Sequence, residues 1–234
     1  PWLELNINSN LGTKTALIER LSTSVKKLCD EDKLESFKLF TSLDTWGPRA
    51  EYTRTGLDLE LWEKNFHTYL TQTNSPITFM VTFNLFCVTS FTGLLEKFLE
   101  WRTQYGWYDD KPNDKHRVRF DTPYLRDPLQ YDMNILPKEE YMPYMYDSLK
   151  FMEDNVDDER SDKFTTLEYE KFKRVVDYMQ ETVYTDEKLI EGRRDFYNWF
   201  NELDDRREAD FLSVFPEMMD FYKLCQTVNL TNPL

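Results

Sequence analysis

Ile77-Thr78-Phe79-Met80-Val81-Thr82-Phe83 carries no charge, no glycine and no proline. Its β-branched and aromatic side chains suit a buried strand. Helical periodicity stands on either side. Leu59, Trp62, Phe66, Tyr69 and Leu70 mark a helix before it, with Asp58 placed as N-cap, and Leu94, Leu95, Phe98, Leu99 and Trp101 mark one after it.

The alternation continues outward. Trp2–Ile7 and Phe37–Leu43 read as two earlier strands, separated by a helix with Leu17, Leu21, Val25 and Leu28 on one face. Arg117–Thr122 alternates as a fourth strand and stops at Pro123. Strand and helix in strict succession predict βαβ units and a parallel sheet. Right-handed crossovers then bring all four strand C-termini to one edge. In barrels and open α/β sheets that edge carries the site. The ends read Asn8-Ser9-Asn10, Thr41-Ser42-Leu43-Asp44, Asn84, and Asp121 with Tyr124, each polar after an apolar run. The competing reading of each is a loop start or a helix cap.

From about Pro137 the pattern is helical only. Met142, Met145, Tyr146, Leu149 and Met152 form one stripe, Leu167, Val175, Val176 and Met179 a second, and Leu189, Phe196, Trp199, Phe200 and Leu203 a third. Such stripes are core or docking faces. Asp154–Asp162 reads as a charged linker, Phe211–Val228 as a last helical stretch broken near Pro216, and Asp204–Glu208 as a solvated face. The expected organisation is an α/β part over residues 1–136 and a helical extension over 137–234.

Composition narrows the function. The 234 residues hold 43 acids against 29 bases, a net charge of −14, which argues against a general nucleic-acid or membrane-surface binder. Only 6 residues are glycine, and neither G-x-G-x-x-G nor G-x-x-x-x-G-K-[ST] occurs. No apolar run is long enough to span a bilayer. Cys29, Cys87 and Cys225 form no disulfide framework, so each is expected to be a small buried hydrophobe in a reducing, cytoplasmic location. His67 and His116 are too few for a His-rich metal site, and His67, beside Phe66 in a helical pattern, reads as non-catalytic.

Thr41-Ser42-Leu43-Asp44-Thr45-Trp46-Gly47, followed by Tyr52-Thr53-Arg54-Thr55-Gly56, resembles the fourth-strand region of radical S-adenosylmethionine enzymes. Many members end that strand in Ser-Leu-Asp, with Arg-x-Gly following before a helix. Ser9-Asn10-Leu11-Gly12 stands where members often have Thr-Asn-Gly after the third strand, Ile77–Asn84 at the fifth and Arg117–Pro123 at the sixth. The tail Arg193–Cys225, with Phe211-Leu212, Phe215-Pro216-Glu217, Phe221-Tyr222 and Leu224-Cys225, is similar to tails of the SPASM/twitch branch. The resemblance spans most of the chain and implies part of a (β/α)6 barrel with four parallel strands.

Two hallmarks of that family, the C-x-x-x-C-x-x-C loop after strand one and the Gly-Gly-Glu motif after strand two, do not occur in these residues. Both would precede residue 1 if Trp2–Ile7 is strand three. With Pro rather than Met at residue 1, the expectation is a piece of a longer protein. A 4Fe–4S cluster would then be ligated by a segment outside this chain. An auxiliary cluster needs several cysteines, usually four, so no metal ligand and no catalytic residue is assigned here.

The resemblance implies S-adenosylmethionine as cofactor, reductive cleavage to a 5′-deoxyadenosyl radical, and a reductant such as flavodoxin or ferredoxin. It implies cofactor-binding roles for Asn10, Ser42, Asp44, Arg54, Asn84 and Tyr124. Ser42 would bond the ribose or methionyl moiety, and Arg54 the methionyl carboxylate. Asp44 would orient Arg54 or meet substrate, Asn10 and Asn84 would act as neutral donor–acceptors, and the backbone near Tyr124 and Leu125 would receive adenine. Thr45, Trp46, Asp121 and Arg126 would face the substrate, a peptide or small molecule. Each has a plainer reading: Arg54 pairs with Glu51 or Asp58, Asp44 and Thr45 cap the next helix, Asn84 bridges a turn, Trp46 packs. Two further readings stand beside this one. The chain is a non-catalytic α/β binding or scaffold module, or a hydrolase that pairs Asp44 with Asp121 across a cleft.

Overall fold

Phe37, Leu39 and Thr41 are buried while Lys38, Phe40 and Ser42 between them are half-exposed, and the two strands that follow alternate in the same way. That alternation sets the architecture. The computed structural model describes residues 2–106 and 116–232. Its sheet holds β1 (Glu4–Asn8), β2 (Ser36–Ser42), β3 (Ile77–Met80) and β4 (Val118–Asp121), all parallel and in the order β1-β2-β3-β4. Between them run α1 (Thr15–Asp30), α2 (Pro48–Thr53), α3 (Leu59–Gln72) and α4 (Phe91–Tyr105).

An order that advances one strand at a time with right-handed crossovers lays every helix on one face of the sheet. The ring contacts identify that face. Phe37 meets Tyr69 of α3, Phe79 meets Trp62 and Phe66 of α3 and Phe98 and Trp101 of α4, and Phe120 stacks on Phe98 at 4.5 Å. The other face, with Lys38, Phe40, Ser42, Thr78, Met80, Arg119 and Asp121, carries no such layer among the described residues, and α6 (Thr166–Glu181) borders it at β4. The α/β class and the parallel sheet are therefore as expected. Among the described residues the sheet stays open, with β1 and β4 as its edges.

Several boundaries differ from the sequence reading. The first strand starts at Glu4, and Trp2 is 99% exposed. β3 ends at Met80; beyond it the chain keeps a bridge between Phe83 and Tyr124 and hydrogen bonds from Val81 and Phe83 to the β4 segment. The buried stripe of α1 is Ile18, Ser22 and Val25, with Leu21 and Leu28 flanking it and Leu17 exposed. Val25 belongs to both stripes, so the face is turned by less than one position, about 70° around the helix. Asp58 does cap α3, accepting from the Leu61 N–H at 2.9 Å.

After β4, two 3-10 turns (Leu129–Tyr131 and Met133–Ile135) lead into α5 (Lys138–Glu153), α6 (Thr166–Glu181), α7 (Asp186–Arg207), α8 (Phe211–Val214) and α9 (Met219–Thr231), with a 3-10 turn at Pro216–Met218. The expected break near Pro216 and the linker between α5 and α6 are both present. α5 packs on α4 and α6, α6 on β4, α7 on α9 and the first 3-10 turn, and α8 on α2. Phe86, just past β3, touches Tyr52, Tyr131, Phe196, Phe200, Phe211 and Phe215, so the buried core runs unbroken from the sheet into the helical region.

One buried ion pair fastens α6 to α4. The Arg102 guanidinium donates to both Glu168 oxygens, at 2.6 and 3.1 Å, and to the Val118 and Lys163 carbonyls. Glu168 also closes a capping box with Thr165. Burial alone would raise the Glu168 carboxyl, but Arg102, the Thr165 N–H and His116 outweigh it and hold it below its ordinary value. Half-buried His116 is pushed down, first by desolvation and then by the Arg102 charge.

Candidate functional site

The C-terminal ends of β1 and β2 and the α2–α3 connection enclose a cleft of about 320 Å³. Asn10, Ser42 and Arg54 all line it, together with Gly12, Thr53, Thr55, Gly56 and Leu57. Local sequence explains the shape. Asn10 Oδ1 accepts from the Gly12 N–H at 3.1 Å and turns the chain after β1. Gly56, at φ +79, turns it again between α2 and α3. Arg54 is the extended C-cap residue of α2, so it leaves the helix toward the cleft.

The Arg54 guanidinium is held on one side only. Its Nη2 reaches Asp44 Oδ1 at 2.9 Å and Oδ2 at 2.8 Å. Asp44 Oδ1 also accepts from the Thr82 N–H at 2.8 Å, which ties the ends of β2 and β3 together. Burial pushes the Asp44 carboxyl up, and the Arg54 charge and these hydrogen bonds pull against it. Arg54 Nε is buried without a partner. Such an orphaned donor marks a place where an acceptor fits. Glu51 and Asp58, the local alternatives for Arg54, are engaged elsewhere: each accepts from a backbone N–H in the first turn of α3, those of Leu59 and Leu61 respectively.

α2 is clamped from the helical region. Arg49 donates to Glu217 at 2.9 Å and to the Val214 carbonyl, and Thr89 donates to the other Glu217 oxygen. The Tyr52 hydroxyl donates to Asp204 at 2.8 Å, and Arg207 donates to the Tyr52 carbonyl. Asp204 is therefore an anchor rather than part of a solvated face, since it also accepts from the Phe211 N–H at 2.7 Å. Sequence reading missed this because the partners lie more than 150 residues apart.

The other candidates lie elsewhere. Thr45 is fully buried, its hydroxyl 2.6 Å from that of Ser90. Trp46 packs edge-on against Trp62 and Trp101 under the Lys97 ammonium. Neither lines the cleft: the Ser90 hydroxyl before α4 holds Thr45, and the rings of α3 and α4 hold Trp46. Asn84 is buried and bridges a turn, bonding the Thr82 carbonyl and the Phe86 N–H. Tyr124 stacks on Tyr178 of α6 at 4.5 Å, with exposed Arg126 over both rings. Asp121 is paired with Lys171 at 3.0 Å. Asp44 and Asp121 thus each carry a cation of their own, and nothing sets them up as an acid–base couple.

Among the described residues no three His, Cys, Asp or Glu side chains converge as metal ligands. Cys87 and Cys225 are buried with their thiols pushed up by desolvation, and Cys29 is half-buried. No helix of the described residues is long and apolar enough to cross a membrane. No protein-family model, curated protein or solved structure matches the chain.

Proposed function

We propose that this chain is the S-adenosylmethionine-positioning part of a radical enzyme, and that the cleft between β1, β2 and the α2–α3 connection holds the cofactor. One observation carries the proposal: Arg54 lies in a cleft lined otherwise by neutral polar and small groups, pinned by Asp44 through Nη2 and left with a buried, unpartnered Nε. A carboxylate is the acceptor that suits a guanidinium so placed. Asn10 and Ser42 offer the neutral hydrogen bonds that an amine or a ribose hydroxyl needs. A parallel sheet whose crossover helices share one face is also the architecture of a barrel segment.

When bound, a reduced 4Fe–4S cluster supplies the electron that splits the sulfonium and yields the 5′-deoxyadenosyl radical. Its thiolates are assigned to sequence outside these 234 residues, and so is the contact with flavodoxin or ferredoxin. The residues of this chain do the holding. Asp44 fixes the guanidinium, Arg54 takes the methionyl carboxylate, Ser42 and Asn10 orient the rest, and the Thr82 N–H keeps Asp44 in place.

Calorimetric titration of S-adenosylmethionine into the 234-residue chain tests this. Arg54→Gln should weaken binding by about 10- to 100-fold, the worth of a charge-assisted bond. Binding that Arg54→Gln leaves unchanged would refute the assignment. Reading the coding sequence 5′ to the Pro1 codon gives a separate check, since the proposal requires C-x-x-x-C-x-x-C in frame there.

A further inference from the structure

The uncovered face of the sheet carries a second concavity, of about 580 Å³, within the range of small-molecule sites. Lys38 and Phe40 of β2, Thr78 and Met80 of β3 and Arg119 of β4 form its floor, and the start of α6 with Lys171 forms its wall. Two carboxylates also reach it, and both are already met by cations. Lys171 holds Asp121 at 3.0 Å, and Arg102 holds Glu168 at 2.6 Å. Among the described residues Lys38 has no carboxylate partner. In a chain of net charge −14 this hollow gathers positive charge, and a concave wall focuses it.

Register links the hollow to the cleft. Phe40, Thr78 and Arg119 form one row across the sheet, and Ser42, Met80 and Asp121 form the next toward the C-terminal edge. Ser42 also lines the cleft beside Arg54. Two residues along β2, about 7 Å, separate the two sites.

We propose that this hollow is the substrate site and that it takes a small organic anion, a carboxylate or phosphate on an apolar body. Lys38 and Arg119 bind the anionic group, and Phe40 and Met80 contact the body. Calling the ligand a substrate rests on the cofactor reading of the cleft; the anion site itself does not.

The test titrates phenyl phosphate, benzoate and the neutral benzyl alcohol into the 234-residue chain by calorimetry. The two anions should bind, weakening as salt is raised, and benzyl alcohol should not. Comparing the anions distinguishes phosphate from carboxylate. Lys38→Gln and Arg119→Gln should each weaken anion binding about tenfold or more. Arg119 also donates to the His116 carbonyl at 2.7 Å, so its variant is checked for native circular dichroism; Lys38→Gln decides alone if that variant misfolds. No anion binding to the folded chain, or binding untouched by Lys38→Gln, overturns the proposal. So does anion binding that is lost in Arg54→Gln, which would place the anion in the cleft. Loss of S-adenosylmethionine binding in Arg54→Gln, with anion binding unmoved by Lys38→Gln, would sink this site and leave the cofactor reading standing.

Discussion

Glu168→Gln removes one charge from the pair that fastens α6 to α4, together with one of the two oxygens that accept from Arg102. Glutamine has the same length, and its amide oxygen keeps the capping box with Thr165 only by turning its NH2 toward the Arg102 Nη2 donor. What it leaves is the Arg102 guanidinium, whose side chain is 1% exposed, without a counter-charge. Deleting one partner of a buried pair costs about 3–5 kcal/mol because the other charge stays desolvated. Against a total stability of about 5–15 kcal/mol that is a large share. At roughly 2–4 °C per kcal/mol for a chain of this size, the melting temperature should fall by roughly 6–20 °C. Arg102→Met should cost at least as much, since it also strands the Val118 and Lys163 carbonyls. The double variant should cost well below the sum, with a coupling of about 2 kcal/mol or more. Urea unfolding followed by fluorescence of the buried Trp62 and Trp101 reads all four proteins. The sign with pH follows from the lowered Glu168 carboxyl. Its stabilisation is fully present above the ordinary glutamate value and is lost as pH falls through the lower, folded value. The wild-type chain should therefore lose its advantage over Glu168→Gln only in that acid range. A cost below about 1 kcal/mol for Glu168→Gln, or strictly additive costs in the cycle, would refute the view that this pair is tightly coupled.

Two further outcomes follow from packing. Gly192→Ala puts a Cβ 2.6 Å from Ile135 Cγ2 and 2.9 Å from Leu129 Cγ, so α7 must shift from the 3-10 turns, and thermal unfolding should show a loss of about 1–3 kcal/mol. Thiol labelling of the native chain with Ellman's reagent should modify Cys29 first, while Cys87 and Cys225 react only at the rate of unfolding. Labelling of all three at one fast rate would contradict their burial.

The sheet was legible because each βα unit announces itself twice, by a change of hydrophobic period and by the residue that ends the strand. Asp58 capping α3 and Pro123 following β4 are such signals. Strand order was not written locally, since no residue of β3 states which neighbours it will take. The site was half legible. Asn10, Ser42 and Arg54 share a cleft because each ends an element at the same sheet edge. Thr45 and Trp46, next in line after Asp44, pack on the core instead, because three residues past the end of β2 the chain is already turning under α3 and α4. The partner of Arg54 was open among three carboxylates; Asp58 already read as the cap of α3, but the claim of the Leu59 N–H on Glu51 is visible only once the helix exists.

The clamp on α2 has a mechanical consequence. Arg54 is aimed by a helix of six residues, too short to hold its own axis, and the forces that hold it come from Asp204, Arg207, Val214 and Glu217. The segment 204–217 thus braces α2 from outside the cleft, whose lining it does not share. A protein or ligand that drew the whole segment 204–217 away from α2 would release Tyr52 and Arg49 together, and the guanidinium would lose its bearing without any change at the strand ends. If the cleft holds the cofactor as proposed, its affinity can be set from a helical surface that never touches what the cleft holds.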